Sequence, residues 1–425
     1  MKIAFYTLGC KANQFETQAL EQLFRREGWD IVPFEETADV YLVNTCSVTA
    51  LADKKSRNAC RRAKKRNPSA LLAVCGCYAQ MAADALREDC GADIVVGTDQ
   101  KSLLLPLILQ AMPHTEIHDI WYTQRPGFDR MPAGSLEGRT RALLKVQDGC
   151  QNFCTYCIIP FARGPSRSLP LDEAVCEVRR LAAEGYREIV LTGIEISSWG
   201  ADLEPKANLA DLITAVCDAA PEVRIRLGSW EPRTVTEEFA ARTSGCKNLC
   251  PHFHLSMQSG CDRTLKAMNR KYDTARYYES CRLLRKNFPG CAITTDLIVG
   301  FPGETAEDHG ETLAFLEKCA FTQVHIFPYS KRSGTRACDL PGHLPNAVKE
   351  QRAAQAAEIC TRLRQQYLDS LCGQTKQVLF ETTGTGHCPE YCEVEIAETV
   401  QPGTVHTVRI LETRDDRLFG VLTDQ

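Results

Sequence analysis

From residue 142 to residue 327 the chain alternates six short apolar or β-branched runs with longer segments of helical periodicity. The runs are 142–147, 188–193, 224–228, 253–257, 292–299 and 322–327, and the helical patterns include 171–184, 209–218, 273–286 and 306–318. Strands separated by whole helices pair in parallel, with each crossover helix packed on the sheet. Six β-α units in series predict a full or partial (β/α)6 barrel, a fold that presents its chemistry at the C-terminal ends of its strands. A shorter alternation precedes it: Ile3 to Leu8, Val40 to Asn44, Leu71 to Val74 and Ile94 to Val96 predict an open parallel α/β sheet within residues 1–112. Residues 113–141 hold Pro113, Pro126, Gly127, Pro132, Gly134 and Gly138 without periodicity and read as a linker. The central domain runs over 142–371 and ends in a helical stretch from Pro345. Glycine-punctuated strand-like runs over 372–425 predict a small β-barrel. The expected fold class is therefore α/β, in three domains, as 425 residues exceed what one core usually supports.

The chain carries 22 cysteines. Its opening, MKIAFYTLGCKANQFE, has no secretory pattern, so a disulfide framework is not expected; metal or sulfur chemistry is the leading explanation for some cysteines, and burial for most others. Cys150, Cys154 and Cys157, in QDGCQNFCTYCIIP, follow the first barrel strand with C-x3-C-x2-C spacing. A structural zinc site needs four protein ligands, and no fourth cysteine or histidine lies close on either side. Three cysteines on a 4Fe-4S cluster instead leave one iron open to a substrate or cofactor. Cys10 (TLGCKANQFE), Cys46 (LVNTCSVT) and Cys77 (VCGCYAQ) each stand at the exit of a predicted parallel strand, and those exits share one sheet edge, where distant residues can converge. Cys75 competes with Cys77. Cys60 and Cys90 fall within helical patterns and read as packing or solvent-facing residues.

These residues resemble the radical S-adenosylmethionine superfamily and, over nearly the whole chain, its methylthiotransferase family. Tyr156 before the last cysteine of the loop, Thr192 and Gly193 in LTGIEISSWG, Gln258 in HFHLSMQSGCDRTLKAMNRKY, and Ile298, Gly300 and Glu304 in TTDLIVGFPGET carry the resemblance, with FPYSKRSGTRA beyond them. It implies that Cys150, Cys154 and Cys157 hold a 4Fe-4S cluster whose open iron chelates S-adenosylmethionine, cleaved to a 5′-deoxyadenosyl radical. Tyr156, Thr192, Gly193, Gln258, Ile298 and Gly300 would line that cofactor. Cys10, Cys46 and Cys77 would hold a second, auxiliary 4Fe-4S cluster, Cys77 fitting the family's GCxxQ pattern better than Cys75. One S-adenosylmethionine would methylate sulfur at the auxiliary cluster and another would supply the radical that takes hydrogen from carbon 2 of an adenine. Glu195 and Cys261 depart from the family pattern. Residues 372–425 resemble the TRAM-like RNA-binding barrel that ends these enzymes.

QDGC and IIPFARGPSRS resemble the branch acting on transfer RNA, as a tRNA (N6-L-threonylcarbamoyladenosine-C2)-methylthiotransferase. Sister activities act on isopentenyladenosine in tRNA or on a ribosomal-protein aspartate; a reading of another class is a non-enzymatic iron-sulfur RNA-binding protein. The resemblance also implies the tRNA anticodon arm as partner and an electron donor such as flavodoxin or ferredoxin. A net charge of -4 provides no global attraction to RNA, so contact needs a local patch. Residues 54–66, KKSRNACRRAKKR, contain eight Lys or Arg and no acid, which singles out Arg61, Arg62, Lys64 and Lys65. Arg163 and Arg167, just past the cysteine loop, are candidate partners for the substrate's carboxylate or for phosphates. From Lys376 to Gln425, nine acidic residues face four basic ones, so that domain does not hold RNA by charge alone. The longest apolar stretch, Leu103 to Met112, is interrupted by Pro106 and too short to span a bilayer, and a cytoplasmic location is expected.

Overall fold

The structure, a computed structural model, describes residues 1–112, 118–119, 127–133 and 140–423, so most of the expected linker lies outside the described residues. The chain forms two compact units: Met1–Leu136 with Lys145–Leu169 and Ser330–Cys338, and Glu137–Leu144 with Pro170–Tyr329 and Asp339–Gln425.

The first unit is built from β1 (Lys2–Thr7), α1 (Lys11–Arg26), β2 (Asp30–Val32), β3 (Val40–Thr45), α2 (Ala50–Arg66), β4 (Leu71–Gly76), α3 (Cys77–Met81), α4 (Ala83–Cys90), β5 (Ile94–Val96), α5 (Leu104–Ala111) and β6 (His118–Asp119). Its strands form one sheet in the order β2-β1-β3-β4-β5-β6, parallel at every pairing. Every residue of β3 is buried, which explains the unbroken apolar run VYLV: a strand covered on both faces has no polar side to alternate with. Tyr41, Val43, Leu72 and Val74 pack against Ala59, Cys60 and Ala63 of α2 and Leu86 of α4. The three-residue β2, paired with β1 from Lys2↔Asp30, is too short for a sequence period to reveal. Because β1 lies between β2 and β3, crossovers leave in opposite directions at the β1/β3 junction, the switch point where such sheets hold ligands. After β7 (Arg141–Lys145) come β8 (Gln147–Asp148), α6 (Ile159–Arg163) and β9 (Arg167–Ser168).

In the second unit follow α7 (Leu171–Ala183), β10 (Glu188–Thr192), α8 (Leu209–Ala219), β11 (Arg224–Leu227), β12 (Ser229–Trp230), α9 (Glu237–Thr243), β13 (His252–Leu255), α10 (Asp262–Ala267), α11 (Thr274–Asn287), β14 (Ala292–Val299), α12 (Ala306–Cys319) and β15 (Gln323–Pro328). The strands form an arc of two sheets, β11-β10-β7 and β12-β13-β14-β15, so the barrel is partial. The chain changes sheet at Gly228, and a parallel bridge between Ile225 and Leu249 joins the two. Thr305 and Asp308 form a reciprocal cap that starts α12 directly after the FPGET turn. The long α13 (Asn346–Leu371) leads into β16 (Thr375–Phe380), β17 (Thr385–His387), β18 (Glu393–Ile396), β19 (Val405–Arg414) and β20 (Arg417–Leu422), a closed barrel in the order β16-β17-β18-β20-β19. Val378, Phe380, Val394, Val408, Ile410 and Leu418 fill it, joined by Leu368 and Leu371 of α13. No helix among the described residues is long and apolar enough to cross a membrane.

Candidate active site

Cys10, Cys46 and Cys77 sit at the exits of β1, β3 and β4, three adjacent strands. Cys10 caps α1, Cys46 follows β3, and Cys77 opens α3. Cys10 and Cys46 therefore flank the switch point. The Cys46 thiol has Cys77 and Cys10 as charged neighbours, and burial first, then those thiols, push it up to about 11, against the Val48 N–H that donates to its sulfur at 3.5 Å. Close approach is built into the backbone: a Cβ at Gly9 (φ +101°) would lie 2.9 Å from the Cys46 Cβ and sulfur. Cys75 lies within β4, opposite Asn44 and Val96. Burial pushes its thiol up to about 12, and Cys77 is among its charged neighbours. Cys60 is buried in the core and Cys90 packs beside it.

Beneath this triad lies a buried ion network that single-sequence reasoning missed. Arg163 donates to Glu16 Oε1 (2.9 Å), Asp148 Oδ1 (2.9 Å) and Asn13 Oδ1 (2.6 Å). Lys145 pairs with Glu16 (3.0 Å) and Asp148 (3.2 Å), and Lys101 with Glu16 and Asn44. Burial favours neutral Glu16, yet Arg163, Lys101 and Lys145 hold its carboxyl well below the ordinary range. Three cations thus face two carboxylates, with Asp129 also acting on Lys145; burial raises Cys77, while Arg163, hydrogen-bonded to it, opposes that rise. The donor set suits an anionic tris-thiolate group, with Cys46 and Cys77 buried and Cys10 at its exposed edge.

This network corrects one expectation. Arg163 is fully buried and Arg167 nearly so, the latter paired with Asp99 at 2.7 Å and donating to the Arg163 carbonyl at 3.1 Å. Neither guanidinium is presented to a substrate carboxylate or to phosphate. Their partners Glu16 and Asp99 lie far away in sequence, so local basicity alone could not reveal the pairing.

Cys150, Cys154 and Cys157 are half-buried in the loop between β8 and α6. Cys150 N–H donates to Gly164 O (2.9 Å), Cys157 N–H to Cys154 O (3.0 Å), and Asn152 N–H to the Cys150 sulfur (3.5 Å). Gly149 (φ +77°) admits the return strand, since a Cβ there would fall 1.9 Å from Pro165 O. Tyr156 is half-buried, and Phe153 and Phe161 stand exposed, ring centres 6.0 Å apart, beside Cys150 in a shallow depression.

In the second unit, the remaining expected residues gather at strand C-terminal ends. Thr192 ends β10 and Gly193 follows it. Gln258 (φ +71°) donates its N–H to Asp296 O (2.8 Å) and accepts from Ile298 N–H (2.9 Å), which ties it to β14. Gly300 packs on Lys349, and its N–H donates to Glu304 (3.1 Å), itself paired with Arg352. Glu304 therefore braces the turn. Glu195 caps a short turn through Ser197 N–H (3.2 Å); burial, then Glu231, raise its carboxyl. Cys261 reaches Asp308 at 3.3 Å.

On α2 the basic block divides. Lys64 pairs with Asp93 (2.7 Å), whereas Lys54, Lys55, Arg61, Arg62 and Lys65 are exposed, Arg62 lying over the Tyr6 and Phe34 rings (5.0 and 5.6 Å).

A C-x3-C-x2-C loop in a chain that also forms a partial β/α barrel is the combination of a radical S-adenosylmethionine enzyme. Residues 144–316 match the Radical SAM superfamily, and residues 2–97 match Uncharacterized protein family UPF0004. The chain is 38% identical over 384 residues to the threonylcarbamoyladenosine tRNA methylthiotransferase MtaB of Bacillus subtilis (strain 168), covering 89% of this chain and 84% of that protein. It is 34% identical over 376 residues to the tRNA-2-methylthio-N(6)-dimethylallyladenosine synthase of Clostridium tetani (strain Massachusetts / E88), covering 86% and 83%. The structure of the radical S-adenosylmethionine methyltransferase TsrM from Kitasatospora setae, with cobalamin and a 4Fe-4S cluster bound, shares the fold at a TM-score of 0.57 and 15% identity, over 79% of this chain and 77% of that one. The chain belongs to the radical S-adenosylmethionine methylthiotransferase family, enzymes of 4Fe-4S clusters and S-adenosylmethionine.

Proposed function

We propose that this enzyme adds a methylthio group to carbon 2 of N6-threonylcarbamoyladenosine next to the anticodon of transfer RNA. The observation that carries the reading is the near-full-length similarity to relatives bearing that name, with both cysteine triads at strand exits; identity to the dimethylallyladenosine relative is lower. Cys150, Cys154 and Cys157 ligate the cluster that binds S-adenosylmethionine, and Cys10, Cys46 and Cys77 ligate the auxiliary one. When bound, these groups supply the radical chemistry and the methylthio group to be transferred. The chain's own part is positional. Tyr156, Thr192, Gly193, Gln258, Ile298 and Gly300 line the cofactor, and the buried cations steady the anionic auxiliary site. Lys54, Lys55, Arg61 and Lys65 on α2 meet RNA phosphates; reversing all four to Glu should weaken tRNA binding and flatten its dependence on salt. Electrons come from a small donor such as flavodoxin or ferredoxin, and the work is done in the cytoplasm.

Nucleoside mass spectrometry of a strain lacking the protein tests the reading. Threonylcarbamoyladenosine should persist while its 2-methylthio derivative disappears. Loss of the methylthiolated isopentenyl nucleoside, or of methylthio-aspartate on a ribosomal protein, would move the assignment to a sister activity.

A further inference from the structure

With Arg163 and Arg167 committed to internal ion pairs, the substituent that distinguishes threonylcarbamoyladenosine needs other partners. That substituent carries a carboxylate, a hydroxyl and ureido N–H groups. A site for it must offer donors and an acceptor together, outside the cysteine triads.

Such a set stands on β13, β14 and β15. These strands are neighbours, and their register pairs His254 with Thr294 and Asp296 with His325. Side chains alternate along β14. Thr295, Leu297 and Val299 are buried on one face, where the Tyr277 hydroxyl of α11 reaches Thr295 at 3.3 Å. Thr294, Asp296 and Ile298 occupy the other face, on which Asp296 keeps 27% and His254 15% of its side-chain surface, while His325 is exposed. Asp296 precedes Ile298 by two residues on that face, about 7 Å along the strand, so the set lies next to the strand ends assigned to the cofactor.

The three side chains are already organised. His254 Nε2 lies 3.2 Å from Asp296 Oδ2 and its Nδ1 pairs with the Thr294 hydroxyl at 3.0 Å, which fixes ring and carboxylate together. The His325 ring stacks on His254 with centres 5.8 Å apart, and one nitrogen or carboxylate oxygen from each of the three residues lies within 4.8 Å of the other two.

We propose that His254, Asp296 and His325 form the subsite that recognises the threonylcarbamoyl substituent. The inference rests on the substrate reading above. His325 donates to the substituent's carboxylate, Asp296 accepts from its ureido N–H, and His254 is a positioning residue that aims Asp296. An isopentenyl group could satisfy none of these groups. Covering an imidazole and a carboxylate with hydrocarbon leaves buried polar atoms without partners, the arrangement by which a hydrogen-bonding site rejects an apolar analogue. Two imidazoles and a carboxylate can also chelate a divalent metal; here His254 and Asp296 are bonded to each other, which favours direct recognition.

The test is equilibrium binding of the anaerobically reconstituted holoenzyme to two preparations of one tRNA that differ only in the threonylcarbamoyl group. Wild type should prefer the modified form. His325→Ala, on an exposed strand and so compatible with folding, should cut that preference by about ten- to a hundredfold. Asp296→Asn, which keeps shape but exchanges an acceptor oxygen for a donor, should also reduce it. Binding of the unmodified tRNA is the internal measure of folding. Unchanged preference in both variants would overturn the subsite, as would a wild-type preference that vanishes in EDTA, which would assign recognition to a bound metal. A wild-type enzyme that binds normally but never methylthiolates the threonylcarbamoyl tRNA would instead overturn the substrate reading itself.

Discussion

The two cysteine triads solve the same ligation problem in opposite ways. Cys150, Cys154 and Cys157 occupy one eight-residue loop, half-buried and bordered by the exposed Phe153 and Phe161. Cys10, Cys46 and Cys77 come from three crossovers of a parallel sheet, two of them buried, over a network with more cations than carboxylates. A site that must exchange a cofactor needs an open face, whereas one that keeps a sulfur-bearing group benefits from exclusion of water and from fixed countercharge. The contrast in fixed countercharge, with Cys46 and Cys77 buried and only Cys10 exposed, fits the proposed division between radical generation and sulfur storage.

The sharpest way to break this comparison is to remove one triad at a time. Cys154→Ala should abolish reductive cleavage of S-adenosylmethionine, followed as 5′-deoxyadenosine. Cys46→Ala should retain that cleavage without methylthio product, each variant holding one cluster's iron where wild type holds two. Wild type with a single cluster's iron would end the two-site account. Next in size is Arg163→Met, which strands Glu16 and Asp148 beside fewer cations and should lower stability in urea by about 3–5 kcal/mol; Arg163→Lys should recover little, because one ammonium cannot replace the forked contacts.

Glu188 is the control that belongs to neither cysteine triad. It is buried and held bidentately by Arg226 (2.7 and 2.9 Å), and although burial opposes ionisation, these contacts lower its carboxyl to about 2. Folded below its unfolded value of about 4.5, it contributes stability that is complete above that pH and fades as pH falls toward 2, roughly 3 kcal/mol in all. Glu188→Gln should therefore be less stable than wild type at pH 7, with the gap in urea midpoints closing as pH falls from about 4.5 toward 2; a gap independent of pH would refute the ion-pair account. The smallest effect belongs to Cys75→Ala, which should keep both clusters' iron and cost about 1 kcal/mol. Loss of a cluster there would exchange its role with that of Cys77.

How far the sequence revealed this arrangement depended on the range of the interaction. All six expected barrel strands appear within two residues of their predicted limits, because apolar or β-branched runs separated by whole helices write themselves locally. The loop triad is legible for the same reason. The strand-exit triad is legible only through topology, once β1, β3 and β4 are taken as neighbours. Arg163 was misread because its partner Glu16 lies 147 residues away. His254, Asp296 and His325 escaped notice likewise: the alternate spacing of His252 and His254 hints at a shared strand face, but no local spacing joins His254 to β15. The short β2, α9 and α10 offered too little periodicity to stand out.

The strand order also sets a sequence of events in time. The strand-exit triad has no common loop, so its three sulfurs meet only after β1, β3 and β4 have paired, a non-local step that comes late in the folding of a parallel sheet. The eight-residue loop carries its three sulfurs together from the moment it is synthesised. Iron delivered early can be collected there, whereas the auxiliary site can be charged only on a finished sheet, and its occupancy then locks that sheet against reopening. Cluster insertion at the N-terminal domain is in this sense the last act of its folding.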